Sequence, residues 1–362
     1  MNFINTYMRD LPQDYKSIKH LFIKAPSLKI DDLTKYLNNL QLEFEQWKNS
    51  KFIFKDLETI YISSRQSDSS TLGKIALCLE NILKSITFAN NYEFTVEVSA
   101  KAISEESLLC LKRLGVNRLV FDYYEIYLDS EIKLLDICKR ARKIGFCNLS
   151  IDYLYNHNPK QTLKDIEVDL GEIIAAGIKH IYIEDAKAEQ DFNEISIKKE
   201  REQYHFIRRF LLENNFQQFE LLAFAAANKY NSRHNLAYWE GKDYLGIGAG
   251  AASKIANFRF INQFSVSDYI ANFKVDRLYS LAEIMSKADL DFDYFLLTVN
   301  KLSGFNKIDF YRYTGKDMPE LYLERLEKLR KIGLLEKVGE NWVLTDTGLD
   351  KINSILANFI CW

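Results

Sequence analysis

The residues with most chemistry to offer lie in the stretch Phe219 to Ser253, FELLAFAAANKYNSRHNLAYWEGKDYLGIGAGAAS. Arg233, His234 and Asn235 form a polar group there, and the aromatic pair Tyr238 and Trp239 follows. An imidazole binds metals and carries protons near neutral pH. A guanidinium suits carboxylates, and an aromatic pair supplies flat apolar surface. Four of the 14 glycines fall between Gly241 and Gly250, a density that implies tight turns or a close backbone approach. Elsewhere Glu97, Asp122, Asp152, Glu184 and Asp185 stand at or near the ends of apolar runs. Carboxylates that converge in this way serve as general acid and base. His20, His157, His180 and His205 are scattered without paired spacing, so no metal site is expected from them. The five cysteines, Cys78, Cys110, Cys138, Cys147 and Cys361, allow no C-x-x-C or C-x-x-x-C-x-x-C cluster. They read as isolated reduced thiols.

These residues need a framework, and the sequence describes one. Six short β-branched runs recur from His20 onward: Leu21–Ala25, Thr59–Ser63, Glu93–Val98, Arg118–Tyr123, Asn148–Tyr155 and His180–Asp185. Each precedes a segment with apolar residues at three- and four-residue spacing, as in LTKYLNNLQLEF, LGKIALCLENIL and SLLCLKRLG. Ser104 to Ser107 opens one helix with a cap and an acidic first turn, and Gly115 closes it. Repeated strand–helix units imply a parallel sheet, open or closed into a barrel. Phe219–Ala225 reads as a further strand that breaks into a polar loop holding Arg233, His234 and Asn235. Beyond Phe260 the rhythm changes to a helical tail. LERLEKLRKIGLLEKVGENWVLTDTGLDKINSIL reads as helix, turn at Gly333, two-stranded wing with Gly339 at its tip, and helix. The expected organisation is an extension over 1–19, a barrel over 20–260 and a winged-helix-like module over 276–362.

Composition narrows the function classes. Hydrophobic residues make up 47% and the 48 basic and 50 acidic residues nearly balance, as in an ordinary globular protein. A net charge of −2 gives no electrostatic footprint for nucleic acid. Acidic residues slightly outnumber basic ones in the winged tail as well, so a structural lid is the better reading of it than a DNA-binding module. No apolar run approaches the length of a membrane span, and the first residues carry no signal pattern. Cytoplasm is the expected compartment.

The motifs resemble one family. HNLAYW matches the H-N-x-x-Y-W box, and YLGIGAGAAS the Y-L-G-[IF]-G-A-G-A-H-S run, of HemW-type heme chaperones. Those are relatives of oxygen-independent coproporphyrinogen oxidases in the radical-SAM superfamily. The resemblance spans about Leu21 to Phe359 and implies an α/β fold, a partial (β/α)6 TIM-like barrel. It also marks departures. LFIKAP stands where the family has L-Y-I-H-I-P, and Ser27 to Leu33 follow where three cluster-binding cysteines are expected. Ser64 to Asp68 replace the G-G-G-T-P-S loop that admits S-adenosylmethionine, and side chains there obstruct it. Asp122 to Glu125 replace G-x-Q-S, and Asn156 to Thr162 replace G-L-P-G-Q-T, while Glu97, Asp152 and Glu189 stay in register with family acids.

Strands and packing helices are thus kept, while the loops that hold cofactor are rewritten. The resemblance implies a HemW-like protein with no [4Fe-4S] cluster and no use of S-adenosylmethionine. It also implies heme or porphyrin binding, with heme or a heme-accepting protein as partner. In that reading His234 is the iron ligand, Tyr238 and Trp239 lie against the porphyrin and Arg233 faces a propionate, with Asn235 beside them. A second reading makes the box a brace, with His234 and Asn235 bonding backbone carbonyls and the aromatic pair filling core. Ala252 stands where the family's second histidine would be. A ligand-free interaction scaffold and a divergent enzyme using the mouth carboxylates remain as alternatives.

Overall fold

The structure, a computed structural model, describes residues 17–26, 30–64, 69–129, 131–158, 160–186, 194–272 and 279–360. Expectations for Ser27–Lys29, Arg65–Asp68, Glu189 and most of the 1–19 extension lie outside these residues. All six anticipated strands form: β1 (His20–Lys24), β2 (Leu57–Ser63), β3 (Phe88–Val98), β4 (Arg118–Asp122), β5 (Asn148–Tyr155) and β6 (His180–Asp185). The strand order β7-β8-β6-β5-β4-β3-β2-β1-β9 makes one nine-stranded sheet, with β7 (Gln217–Gln218), β8 (Ala223–Ala225) and β9 (Leu245–Ile247). Pairing from β9 through β1 to β5 is parallel. The chain divides into two compact units, one from Met1–Leu154, Val168–Ile181 and Asp243–Ile284, the other from Tyr155–Glu167, Tyr182–Lys242 and Met285–Trp362.

In the first unit the two faces of the sheet differ in chemistry. Leu21, Ile23, Ile60, Ile62, Phe94, Val96, Leu119, Phe121, Leu149 and Ile151 alternate on one face, all buried. This is the face the amphipathic helices Ile30–Asn49, Ser69–Leu83, Glu105–Arg113 and Leu134–Lys143 cover. Helix Glu105–Arg113 starts as its sequence dictates, with Ser104 and Ser107 forming a reciprocal capping box and Gly115 at φ 93° after its end. The opposite face carries the remaining positions, and most of them are polar. A small antiparallel sheet, β10 (Ala252–Ile255), β11 (Phe258–Asn262) and β12 (Tyr279–Ile284), completes the unit.

Two expectations for the second unit are corrected. Phe219–Ala225 is a strand only over Ala223–Ala225, because the backbone of Phe219 and Leu221 is drawn to Leu302 and Asn300. Arg233 to Asn235 lie in a helix, Arg233–Trp239, and not in a loop, because Ser232 caps it by accepting from the Asn235 amide. Within the expected helical tail, Tyr279–Ile284 is instead strand β12, paired with β11 in the first unit, while the wing forms as read. Helix Glu320–Lys331 turns at Gly333, the hairpin Leu335–Val338 and Asn341–Leu344 reverses at Gly339, and the short helices Asp346–Leu349 and Ile352–Leu356 follow. Phe295, Phe305, Phe310, Leu326, Ile355 and Phe359 centre its core. Among the described residues no helix is long and apolar enough to cross a membrane.

Candidate functional site

The H-N-x-x-Y-W box is held by its own side chains. One helical turn separates His234 from Tyr238, so the imidazole Nε2 and the phenol oxygen meet at 2.7 Å, with the rings edge-on at 4.8 Å. His234 is 1% exposed. The Trp239 indole donates to Glu220 at 2.9 Å, and Glu220 is buried too. Arg233 and Asn235 are half-buried at the start of the helix. The imidazole edge that iron would need is therefore occupied by a hydroxyl, and ligation by Nε2 requires Tyr238 to move away. His234 and Trp239 thus each bond another side chain.

The Gly-rich run packs against the chain itself. A Cβ on Gly246 would lie 2.1 Å from the Ala252 carbonyl. Gly248, at φ 100°, would place one 2.5 Å from the Lys24 carbonyl and 2.6 Å from the Tyr36 hydroxyl. Glycine is required here so that β9 can pair with β1 and then turn. Two side chains of helix Ile30–Asn49 fix that turn. Tyr36 donates to the Lys24 carbonyl at 2.7 Å and accepts from the Ala249 amide at 2.8 Å. Glu43, wholly buried, accepts from the Gly248 amide, Asn262 and Tyr269 at 3.0, 2.7 and 2.6 Å. Burial pushes the Glu43 carboxyl up to about 7, against the pull of these hydrogen bonds and one from Trp47. Sequence reasoning passed over Glu43. Its signal was an acid on the apolar stripe marked by Tyr36, Leu40, Phe44 and Trp47.

The polar face of the first unit is layered by the parallel register. His20 pairs with Thr59 and Thr59 with Glu93. Phe22, Tyr61, Thr95, Arg118 and Asn148 form the next rung, and Lys24 and Ser63, then Val120 and Ser150, the one above. Asp122 and Asp152 close the column on β4 and β5. Arg118, 1% exposed, meets Glu93 at 3.2 Å, and the His20 Nδ1 meets Thr59 at 2.9 Å. His180 is buried, and burial first, then the Arg118 charge, holds its imidazole far below the ordinary value, hence neutral. The buried Thr95 and Ser150 hydroxyls and the Asn148 carbonyl oxygen find no protein partner. Groups so placed cost about 1–3 kcal/mol each unless water reaches them, so this face is built to be wet or occupied.

The mouth carboxylates do separate work. Glu97 takes the Tyr61 and Ser63 hydroxyls at 2.7 and 2.6 Å. Asp122 caps the helix Tyr123–Leu128 through the Tyr124 amide. In the second unit Asp185 accepts from Asn156 at 2.9 Å, and Glu184 is exposed. The described residues contain no group of three His, Cys, Asp or Glu side chains able to hold a metal ion. Cys361 lies outside the described residues, and the other four cysteines are at least nine residues apart in sequence. Cys78 and Cys138 are buried on helices, and burial pushes both thiols up to about 11, away from the thiolate a cluster needs. His205 is bonded to Asp350 at 2.8 Å, and His157 lies 3.3 Å from the Gln161 amide.

Comparison with known proteins gives the fold a family context. No family model matches the chain. It is 28% identical to the heme chaperone HemW of Bacillus subtilis, over 90% of this chain and 91% of that one. It is 24% identical to the heme chaperone HemW of Lactococcus lactis, over 90% and 89%. A putative heme chaperone HemW-like protein of Buchnera aphidicola is 25% identical over 99% of this chain and its own whole length. Among solved structures, coproporphyrinogen III oxidase (HemN) of Escherichia coli, described as a radical SAM enzyme, superposes with a TM-score of 0.74. It covers 99% of this chain and 93% of its own, at 16% identity. That likeness fixes the fold as the HemN type.

Proposed function

As a member of the HemW/HemN-like family, this chain is, we propose, a heme-handling protein that carries heme as cargo without radical chemistry. One observation carries the reading. The chain matches HemW proteins over nine-tenths of its length, yet no run of three closely spaced cysteines exists anywhere in it to hold a four-iron cluster. Without the cluster there is no electron for reductive cleavage of S-adenosylmethionine. What remains is a binding scaffold: the polar face of the sheet with its unpartnered Thr95 and Ser150 hydroxyls, and a C-terminal module with its own aromatic core.

In this reading His234, Asn235, Tyr238, Trp239 and Arg233 keep the box helix in place, and the cargo is gripped through its ring faces and acid groups. The burial of His234 and its bond to Tyr238 support that assignment. The division of labour follows the expected boundaries, with residues 20–260 as the binding scaffold and 276–362 as a lid. A heme-accepting protein in the cytoplasm is the proposed partner. Anaerobic reconstitution with iron and sulfide tests the claim. It should yield no stoichiometric four-iron cluster and no 5′-deoxyadenosine from S-adenosylmethionine. A cluster near one per chain would refute it.

A further inference from the structure

Among the described residues, the polar face of the sheet holds one accessible cation without an ion-pair partner. Lys24 is the last residue of β1, and its register with Ser63 places its side chain on that face. The side chain is half-buried. Among the described residues no ion pair or hydrogen bond engages its ammonium. The space beside the ammonium is kept open by Gly250, where a Cβ would sit 3.3 Å from the Lys24 Nζ. One rung below, Phe22 and Tyr61 are also half-buried, with ring centroids 6.1 Å apart. The same rungs on β3 to β5 are largely closed off, with Thr95, Glu97, Arg118 and Ser150 all buried. Accessible aromatic surface and a free ammonium thus coincide at the ends of β1 and β2.

We propose that Lys24, with Phe22 and Tyr61, is the seat for a carboxylate-bearing flat ligand: the ammonium binds an acid group of a tetrapyrrole and the two rings meet its plane. This rests on the heme-handling reading and adds the residues that take the cargo. The chemistry is complementary. Heme is planar and apolar, with two propionates on one edge, so it needs a cation beside aromatic surface. The acid nearest in register is Glu97, two strands away and so about 10 Å off, a distance at which salt screens much of its repulsion. Its two oxygens are engaged by the Tyr61 and Ser63 hydroxyls. Those bonds also hold the Tyr61 ring against the face.

The test is a set of titrations on the full chain with hemin and with hemin dimethyl ester, whose propionates are blocked. Lys24→Gln should raise the hemin Kd about tenfold, and Lys24→Arg should recover most of the loss, since a charge-assisted bond is worth roughly that ratio. The ester should bind wild type and Lys24→Gln alike, and more weakly than hemin binds wild type. An exposed control, Lys84→Gln, whose ammonium bonds only Asn81 at the surface, should leave the Kd unchanged. Urea melts of each variant verify that the fold is kept. Equal hemin affinity in wild type and Lys24→Gln would overturn this seat while leaving heme handling intact. Absence of hemin binding in every variant would overturn both.

Discussion

Glu43 makes the sharpest stability prediction, because its carboxyl is wholly buried and meets donors from three elements. Burial raises it from the ordinary 4.5 to about 7, so the folded chain binds its proton more tightly than the unfolded chain does. The stability this contributes is fully present below about pH 4.5 and is lost as pH rises through about 7. At roughly 1.4 kcal/mol per pH unit, the loss across that window is about 3 kcal/mol. Tyr36, Tyr269 and Tyr279 face the same carboxyl, but burial raises all three, so none titrates in the window. Glu43→Gln keeps the size and one acceptor oxygen and removes the titration. Its amide also faces donors, which costs about 1–3 kcal/mol at every pH and so shifts the curve without tilting it. Urea melts of both proteins between pH 4.5 and 8 give the difference directly. Wild type should lose about 3 kcal/mol relative to Glu43→Gln over that range. A difference that stays flat would refute the reasoning, and would mean that the four hydrogen bonds outweigh burial and hold the carboxylate ionised throughout.

Two further substitutions probe the box and the turn. His234→Ala should cost about 2 kcal/mol in a urea melt, from the lost bond to buried-side Tyr238 and the lost ring contact, while leaving the hemin Kd as in wild type. An unchanged midpoint with abolished hemin binding would restore His234 as iron ligand. Gly248→Ala should cost upwards of about 3 kcal/mol, since φ 100° and a Cβ 2.5 Å from the Lys24 carbonyl combine strain with a backbone clash. A melt within about 0.5 kcal/mol of wild type would show that the β1–β9 junction is looser than this geometry.

The parts of the fold that were legible were those set by local pattern. Alternation in TIYIS and EFTVEV places Ile60, Ile62, Phe94 and Val96 under the helices, and the same parity puts Tyr61, Thr95 and Glu97 opposite. The wing was readable because Gly333 and Gly339 mark its two reversals. Phe219–Ala225 misled because its apolar run is bent by bonds to Asn300 and Leu302, far along the chain. The helix at Arg233 was missed because its polar first turn looks like a loop until Ser232 is recognised as its cap. At the site, the glycine density announced a close approach, but not that the approach was to Lys24 and Ala252 of the same chain. Lys24 and Glu43 belong to the third dimension. A lysine ending a strand and an acid on an apolar helix stripe gain meaning only when β9 and its turn close over them.

The account stands on heme being cargo for a chain without a cluster, and one absorption titration tests that most directly. Hemin added stepwise to the purified protein, with no iron or sulfide supplied, should give a saturable shift of the Soret band at one hemin per chain. A spectrum that only sums free hemin and protein at every ratio would contradict it.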